Sequence, residues 1–169
     1  MLMGRKIVKS HLTMLAGGLL ASATIAVPAD ATPPSGFSAV QTIRGTYPAL
    51  DVKGEKTDKW DVKIDTKDTS DIYVVRNSIA AGGQSGWHRH PGPSLITVTI
   101  GTITAYESSD PLCSPKVYHA GEGFVDQGDH AHLLRNETAS AAETVAVQFL
   151  PEGSTRRIDV DPAPNNCNF

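Results

Sequence analysis

Two histidines one residue apart, His88 and His90, stand in the segment GWHRHPGPSLITVTIG. In an extended strand, residues i and i+2 point to the same face, so both imidazoles would be presented in one direction. A third histidine, His132, lies in the strand-like segment DHAHLLRN. Three neutral imidazoles on rigid strands can hold a first-row divalent metal and leave positions open for water or substrate. The pattern therefore predicts a metal site.

The residues around these histidines follow two fixed spacings. Gly82 opens the pattern G-x5-H-x-H-x3-S-x6-G, and Gly121 opens the pattern G-x5-Q-x-D-x2-H-x3-N, which ends at Asn136. Both resemble the motifs of the cupins, small β-barrel proteins with G-x5-H-x-H-x3,4-E-x6-G followed by G-x5-P-x-G-x2-H-x3-N. Three positions depart from the cupin motifs, because Glu, Pro and Gly are replaced by Ser94, Gln127 and Asp129.

The resemblance implies that His88, His90 and His132 are metal ligands. It implies a divalent ion, Fe(II) first, with manganese, zinc, nickel or copper as alternatives. Cupins include dioxygenases, decarboxylases, isomerases and non-catalytic binding proteins, so the fold does not choose the reaction. Two interpretations stay open: a metalloenzyme of dioxygenase type acting on a small anionic or polar substrate, and a non-catalytic binding or sensor protein with weak or no metal.

Ser94 stands where the cupin motif has its carboxylate. Three neutral histidines leave a divalent ion at +2, whereas a carboxylate would bring it to about +1. An anionic substrate would then supply the missing charge, as the resemblance to three-histidine thiol dioxygenases suggests. The alternative is that the loss of Glu only weakens metal binding. Ser94 and His130 are candidates for a supporting or substitute ligand, and for His130 we expect a position at the rim of the site.

Other side chains are candidates for the surroundings of the metal. Those expected to line a substrate pocket are Gln84, Trp87, Tyr106, Phe124 and Gln148. A carboxylate from elsewhere in the chain would reach the metal only if the barrel brought it close. Because they stand at turns or strand ends, we expect solvent-exposed positions for Glu107, Glu122 and Asp126.

Short β-branched segments separated by turn residues predict an all-β fold. Segments such as IYVVRN, SLITVTI and TVAVQFL alternate with PGP, AGEG and PEGS, which is typical of an antiparallel sandwich or barrel. With the resemblance, this indicates a cupin double-stranded β-helix, or jelly-roll barrel, over residues 72–150. Residues 32–71 are expected to form an arm and edge strands, and residues 151–169 a tail.

The two cysteines, Cys113 and Cys167, lie in turn-rich segments. A disulfide between them would pin the tail to the barrel, and it is favoured over a pair of metal-binding or reactive thiols in an oxidising compartment.

The start of the chain is typical of an export signal. Positively charged residues precede the uncharged run LTMLAGGLLASATIAV, and Ala29 and Ala31 suit a cleavage site. A membrane anchor needs about 20 apolar residues, and this run is shorter. We therefore expect residues 1–31 to be cleaved, no stable membrane insertion after cleavage, and a secreted or periplasmic protein.

Charge and motifs exclude several classes of function. The formal net charge is −3, and loss of residues 1–31 would make it more negative, which argues against nucleic acid as a partner. The sequence has no G-x-S-x-G, no phosphate-binding glycine loop and no paired C-x-x-C, so hydrolase, nucleotide and zinc-ribbon functions have no support. The expected partner is a small molecule, and a homodimer through the N-terminal edge strands accompanies the binding interpretation.

Overall fold

The structure is a computed structural model that describes residues 32–167 and 169, so the expected export signal lies outside the described residues. Within them, no helix is long and apolar enough to cross a membrane. Twelve strands form the regular structure of this part, in the order β1 (Ser35–Tyr47), β2 (Asp51–Lys53), β3 (Lys63–Asp65), β4 (Ser70–Gln84), β5 (His88–Arg89), β6 (Ser94–Ile100), β7 (Thr102–Glu107), β8 (Lys116–His119), β9 (Gly123–Asp126), β10 (His132–Arg135), β11 (Ala142–Pro151) and β12 (Ile158–Asp159).

Ten of the strands form one continuous antiparallel assembly, which consists of two sheets of five strands. The first sheet has the order β1, β4, β11, β6, β9, and the second has the order β12, β5, β10, β7, β8. The end of β4 joins them, because Gln84 pairs with Arg135 of β10. Between the two motifs, β7 and β8 form an antiparallel hairpin. The all-β antiparallel barrel predicted from the sequence is confirmed.

Alternate residues along the strands point into the barrel, and the barrel interior has an apolar end and a polar end. In β11, every second residue from Ala142 to Leu150 is buried, and β6 buries Ser94, Ile96 and Val98. At the apolar end, side chains from both sheets form one core cluster, which consists of Ile79, Val98, Ile103, Ala105, Leu134 and Ala142. The buried histidines lie at the other end, so apolar packing positions the polar residues.

The C-terminal segment covers the outer face of the second sheet. Trp87 and Leu133 point to this face and pack with Cys167. Cys113 and Cys167 form the predicted disulfide, which closes a loop of 54 residues. On a chain-entropy basis, such a loop contributes about 4 kcal/mol to stability. The segment is therefore fastened at β12 by backbone pairing and at residue 167 by a covalent bond.

Asn136, the last residue of the second motif, fastens two loops at the apolar end. Its side chain is fully buried, and Nδ2 donates to the carbonyl oxygens of Ile79, Ala80 and Ser140. Its Oδ1 accepts from Thr138. Asn136 therefore joins β4 to the loop that follows β10.

A buried carboxylate ties β1 to the barrel. Asp71 in β4 accepts hydrogen bonds from Arg44 and Thr46 of β1, each at 2.7 Å, and from the amide of Gly153 at 2.9 Å. The Gly153 amide first, and then the two β1 side chains, lower the pKa of Asp71 to about 2. Asp71 therefore stays ionised and joins three segments of the chain.

This depressed pKa predicts a stability change at acid pH. The ordinary pKa is 3.8, so ionised Asp71 stabilises the fold fully above about pH 4, and that contribution is lost as the pH falls toward about 2. We expect Asp71→Asn to lower the melting temperature at neutral pH, and the difference from wild type to shrink between pH 4 and 2. Asp68→Asn, at an exposed neighbouring position, is the matched control. Thermal unfolding followed by circular dichroism measures both, and a constant difference across this range would contradict the assignment.

Candidate metal centre

Three buried histidines converge at the polar end of the barrel. His88 in β5 pairs directly with His132 in β10, and His90 follows one residue after β5. The ring centroids of His88 and His132 are 4.3 Å apart, and His90 lies 5.0 and 5.4 Å from them. One nitrogen of each ring lies within 4.8 Å of the others. The three histidines predicted from the motif spacing are thus brought together.

Two of the rings direct Nδ1 toward a backbone carbonyl oxygen, which can only accept a hydrogen bond. Nδ1 of His88 lies 2.8 Å from the carbonyl oxygen of Gly86, and Nδ1 of His90 lies 2.5 Å from that of Arg156. Nδ1 of His132 faces Asp126 Oδ1 at 3.4 Å, longer than an ordinary hydrogen bond. An imidazole that donates from Nδ1 leaves the Nε2 lone pair free for a metal, and such partners also fix the ring orientation.

Burial keeps two of the rings uncharged at neutral pH. It is the largest cause lowering the pKa of His88 well below its usual range, and His132, Arg157 and His90 add to the effect. Burial also lowers the pKa of His90 to about 4, although the hydrogen bond to the Arg156 carbonyl opposes it. Metal binding requires neutral imidazole, so these rings are ready to ligate without losing a proton. Orientation, spacing and protonation together fit a first-row divalent metal ion.

Ser94 lies beside the histidines but is already engaged. It is fully buried, and its hydroxyl accepts a hydrogen bond from Gln148 Nε2 at 3.0 Å. Gln148 Oε1 in turn accepts from Arg156 Nη1 at 3.1 Å. The serine therefore begins a polar chain that leads to a guanidinium.

Arg156 carries a positive charge that no carboxylate of the described residues balances. It forms no ion pair there, whereas its neighbour Arg157 pairs with Asp159 at 2.6 Å and donates to the Ser85 carbonyl. Burial lowers the pKa of Arg156 and nearby Arg157 adds to this, yet an arginine stays protonated at neutral pH. The side chain of Arg156 is half-buried at the wall of the histidine cavity, so it is available to an anion.

Asp126 lies next to the histidines, and the expectation that it would be solvent-exposed is wrong. Its side chain is only 8% exposed, and its Oδ2 lies 3.9 Å from His90 Nε2. Burial alone would raise the pKa of Asp126, but His132 and the Gly128 amide outweigh it and lower the pKa, so the group is ionised. Glu122 is exposed and Glu107 is partly exposed, and Glu107 pairs with Lys116 on the surface.

Two cavities meet at His132. One, of about 30 Å³, is lined by the three histidines, Gln148 and Arg156, among others. The other, of about 200 Å³, also reaches His132 and includes Asp126, Phe124 and His130 in its wall. The smaller cavity offers little free space, so it admits a small molecule or one end of a larger one.

The remaining candidates lie at different distances from the histidines. Trp87 and Tyr106 pack on the outer face of the second sheet against the C-terminal segment, so they do not line the histidine cavity. Gln84 lies at the junction of the two sheets, opposite Arg135. His130 is exposed beside Asp129, at 3.3 Å, and lies at the rim rather than in the cluster.

Motif spacing found the histidines but not Arg156. Arg156 lies 20 residues beyond the second motif, in the segment expected to be only a tethered tail. The pair Arg156 and Arg157 just before a short apolar segment was the available signal, but a double arginine is more often exposed than directed into a site.

Comparison with known proteins finds similarity at the level of structure. Neither a protein-family profile nor a curated protein matches the chain. A Klebsiella pneumoniae protein with a double-stranded β-helix domain is 16% identical, with 68% of this chain and 86% of that one covered and a TM-score of 0.45. A cupin superfamily protein from Desulfitobacterium hafniense is 10% identical, with coverage of 68% and 84% and a TM-score of 0.42.

An enzyme of known activity also matches. Oxalate decarboxylase from Lactobacillus farciminis is 20% identical, with 53% of this chain and 26% of the enzyme covered and a TM-score of 0.46. Across four further matches, this chain spans 44% to 67% of the matched structure. These are similarities of fold, so what the protein does has to be argued from its own residues.

Proposed function

We propose that this protein binds a divalent metal ion through His88, His90 and His132, and that the ion and Arg156 together bind a small anionic molecule. The observation that carries the proposal is the convergence of three buried imidazoles, two of which bond a carbonyl oxygen through Nδ1 and so leave Nε2 for the ion. Iron(II) is the first candidate, with manganese, zinc, nickel and copper as alternatives, because imidazole ligands suit all of them.

The residues around the histidines would hold the anion beside the ion. The Arg156 guanidinium has no carboxylate partner among the described residues, and Gln148 fixes its position through a hydrogen bond. Ile96 and Ala146 form apolar parts of the cavity wall and limit the access of water. When bound, a divalent ion supplies a Lewis acid for an anionic ligand and, if it is redox-active, an electron source for dioxygen chemistry.

In the catalytic form of the proposal, the protein is a metal-dependent oxidoreductase of dioxygenase type. Arg156 would hold the carboxylate, thiolate or enolate of the substrate, and the buried histidines would keep the reacting end away from bulk water. The alternative is a non-catalytic sensor or carrier of a small anion. The cavity volume of about 30 Å³ favours this alternative, because it leaves little room for an organic substrate beside the ion.

We also propose that the protein is exported and acts in a secreted or periplasmic setting. Two features support this: the pattern of residues 1–31, and the Cys113–Cys167 disulfide, which would persist in an oxidising compartment.

Metal content tests the first part of the proposal. Wild-type protein purified from its native compartment is expected to hold about one divalent ion per chain, and His88→Ala with His132→Ala to hold almost none, because two of the three imidazoles are gone. His119→Ala with His130→Ala removes two exposed histidines and is the matched control. Elemental analysis of the three proteins measures this. Equal metal in wild type and in the His88/His132 variant would refute the metal site.

Oxygen consumption separates the enzyme from the binding protein. With iron or manganese restored, the protein is offered a panel of small thiols, diketones and phenolics, and the dioxygenase form predicts substrate-dependent oxygen uptake that His132→Ala abolishes. Binding of panel members without any oxygen uptake would contradict the enzyme and favour the sensor or carrier.

Arg156→Gln tests the binding of an anion. A charge-assisted hydrogen bond contributes about 1.5–3 kcal/mol, so we expect roughly 10- to 100-fold weaker binding of azide or formate to the metal-loaded protein. Metal affinity should stay unchanged, because His90 is held by the Arg156 backbone and not by its side chain. Arg89→Gln, an exposed arginine of β5, is the control. Calorimetric titration measures both affinities, and equal anion affinity in Arg156→Gln and Arg89→Gln would contradict the role of Arg156.

A further inference from the structure

The residue at the carboxylate position of the first motif cannot itself supply a negative charge. Ser94 carries a neutral hydroxyl, and that hydroxyl accepts a hydrogen bond from Gln148. If no other group replaced the carboxylate, an ion held by the three histidines would keep its full +2 charge in a buried site. The neighbouring strand, however, brings a carboxylate to the same place.

Strand register places Asp126 next to Ser94. In the pairing of β6 with β9, Ser94 lies directly opposite Asp126, and Ile96 lies opposite Phe124. Residues directly opposite each other in an antiparallel pair point to the same face of the sheet. Val125, between the two interior residues of β9, is 56% exposed, as this alternation requires. Asp126 therefore enters the barrel interior beside Ser94, one strand away.

The two carboxylate oxygens of Asp126 have different surroundings. Oδ1 accepts a hydrogen bond from the Gly128 amide at 2.9 Å and faces His132 Nδ1. Oδ2 is buried and has no hydrogen-bond partner among the described residues. A buried anionic oxygen without a partner is costly, which indicates that its partner is a group bound at the site.

The position of Oδ2 suits a shared metal ion. It lies 3.9 Å from His90 Nε2, the nitrogen that the Arg156 carbonyl leaves free. Two ligands of one ion, each at about 2.1 Å, lie no more than about 4.2 Å apart. Asp126 approaches the cluster from the side of His90 and His132, so its carboxylate and His90 can ligate the same ion.

We propose that Asp126 is the carboxylate ligand of this metal site, supplied through Oδ2 from β9 in place of the glutamate that the first motif lacks at Ser94. The inference rests on the proposed metal-binding function. It changes the charge of the site, because a bound divalent ion would then be at about +1 before any substrate arrives. An anionic ligand would be held by this remaining charge and by Arg156, rather than being required to complete the ligand set.

Two variants test whether Asp126 supplies the carboxylate that the first motif lacks at Ser94. Asp126→Asn keeps an acceptor for the Gly128 amide and removes the charge, and we expect metal affinity to fall by roughly 10- to 100-fold or more. Asp126→Ser with Ser94→Glu moves the carboxylate to the motif position, and we expect it to recover most of the lost affinity. Asp129→Asn, an exposed acid three residues away, is the matched control for charge.

Two readouts are needed, both on the full chain. Competition with a chromophoric chelator gives the affinity for Co(II) and Zn(II). The visible spectrum of bound Co(II) reports whether the ligand set changes, which a residue that only oriented His132 would not alter. We expect Asp126→Asn to shift the Co(II) spectrum, Asp129→Asn to leave it unchanged, and the exchanged variant to resemble wild type. Circular dichroism confirms that each variant folds, and if Asp126→Asn is unstable, the exchanged variant carries the test.

The outcomes separate this inference from the proposed function. If wild type binds no ion, the proposed function fails and Asp126 fails with it. If wild type binds the ion and Asp126→Asn binds it within about twofold with an unchanged Co(II) spectrum, only the role of Asp126 is overturned. If the exchanged variant binds the metal ion no more tightly than Asp126→Ser alone, the role of Asp126 is also overturned.

Discussion

The pairing of β5 between β10 and β12 is the constraint on which the histidine site depends. β5 contains only two residues, and its backbone bonds to β10 on one side and β12 on the other hold His88 opposite His132. Such a short strand has little stability of its own. The C-terminal segment supplies the second neighbour, and it also supplies the carbonyl oxygen that orients His90. The site is therefore built as much by the segment after the barrel as by the barrel.

The charged side chains at the polar end of the barrel surround a position that suits a cation. The three imidazoles form the centre, with the ionised Asp126 on one side and the Arg156 guanidinium on the other. Asp159 neutralises Arg157, so only Arg156 faces the cavity with an unbalanced charge. A divalent ion would be attracted by the carboxylate and would share an anionic ligand with the guanidinium. The same histidines without the two flanking charges would not favour a particular ligand.

The sequence predicted those parts of the site that depend on spacing within one strand or motif. His88, His90 and His132 stand at fixed sequence spacings from the motif glycines, so their approach follows from the fold. Asp126 was expected in solvent because it ends a strand, and its burial depends on the register of β9 against β6, which no local pattern sets. The role of Arg156 depends on a long-range contact of the C-terminal segment. Trp87 was expected to line the pocket, but it packs outside the barrel against the C-terminal segment, a long-range contact that no local pattern sets.

The disulfide between Cys113 and Cys167 has a consequence for the order in which the protein is assembled. The contacts that complete the site join residues far apart in the chain, such as His90 with Arg156, and such contacts form late in folding because long loops must close first. The segment that carries Arg156 is held by the pairing of β12, and oxidation of the residue 167 thiol fixes its far end. Assembly of the centre thus waits for synthesis of the chain beyond β12, so the protein would acquire its ion after folding rather than fold around it.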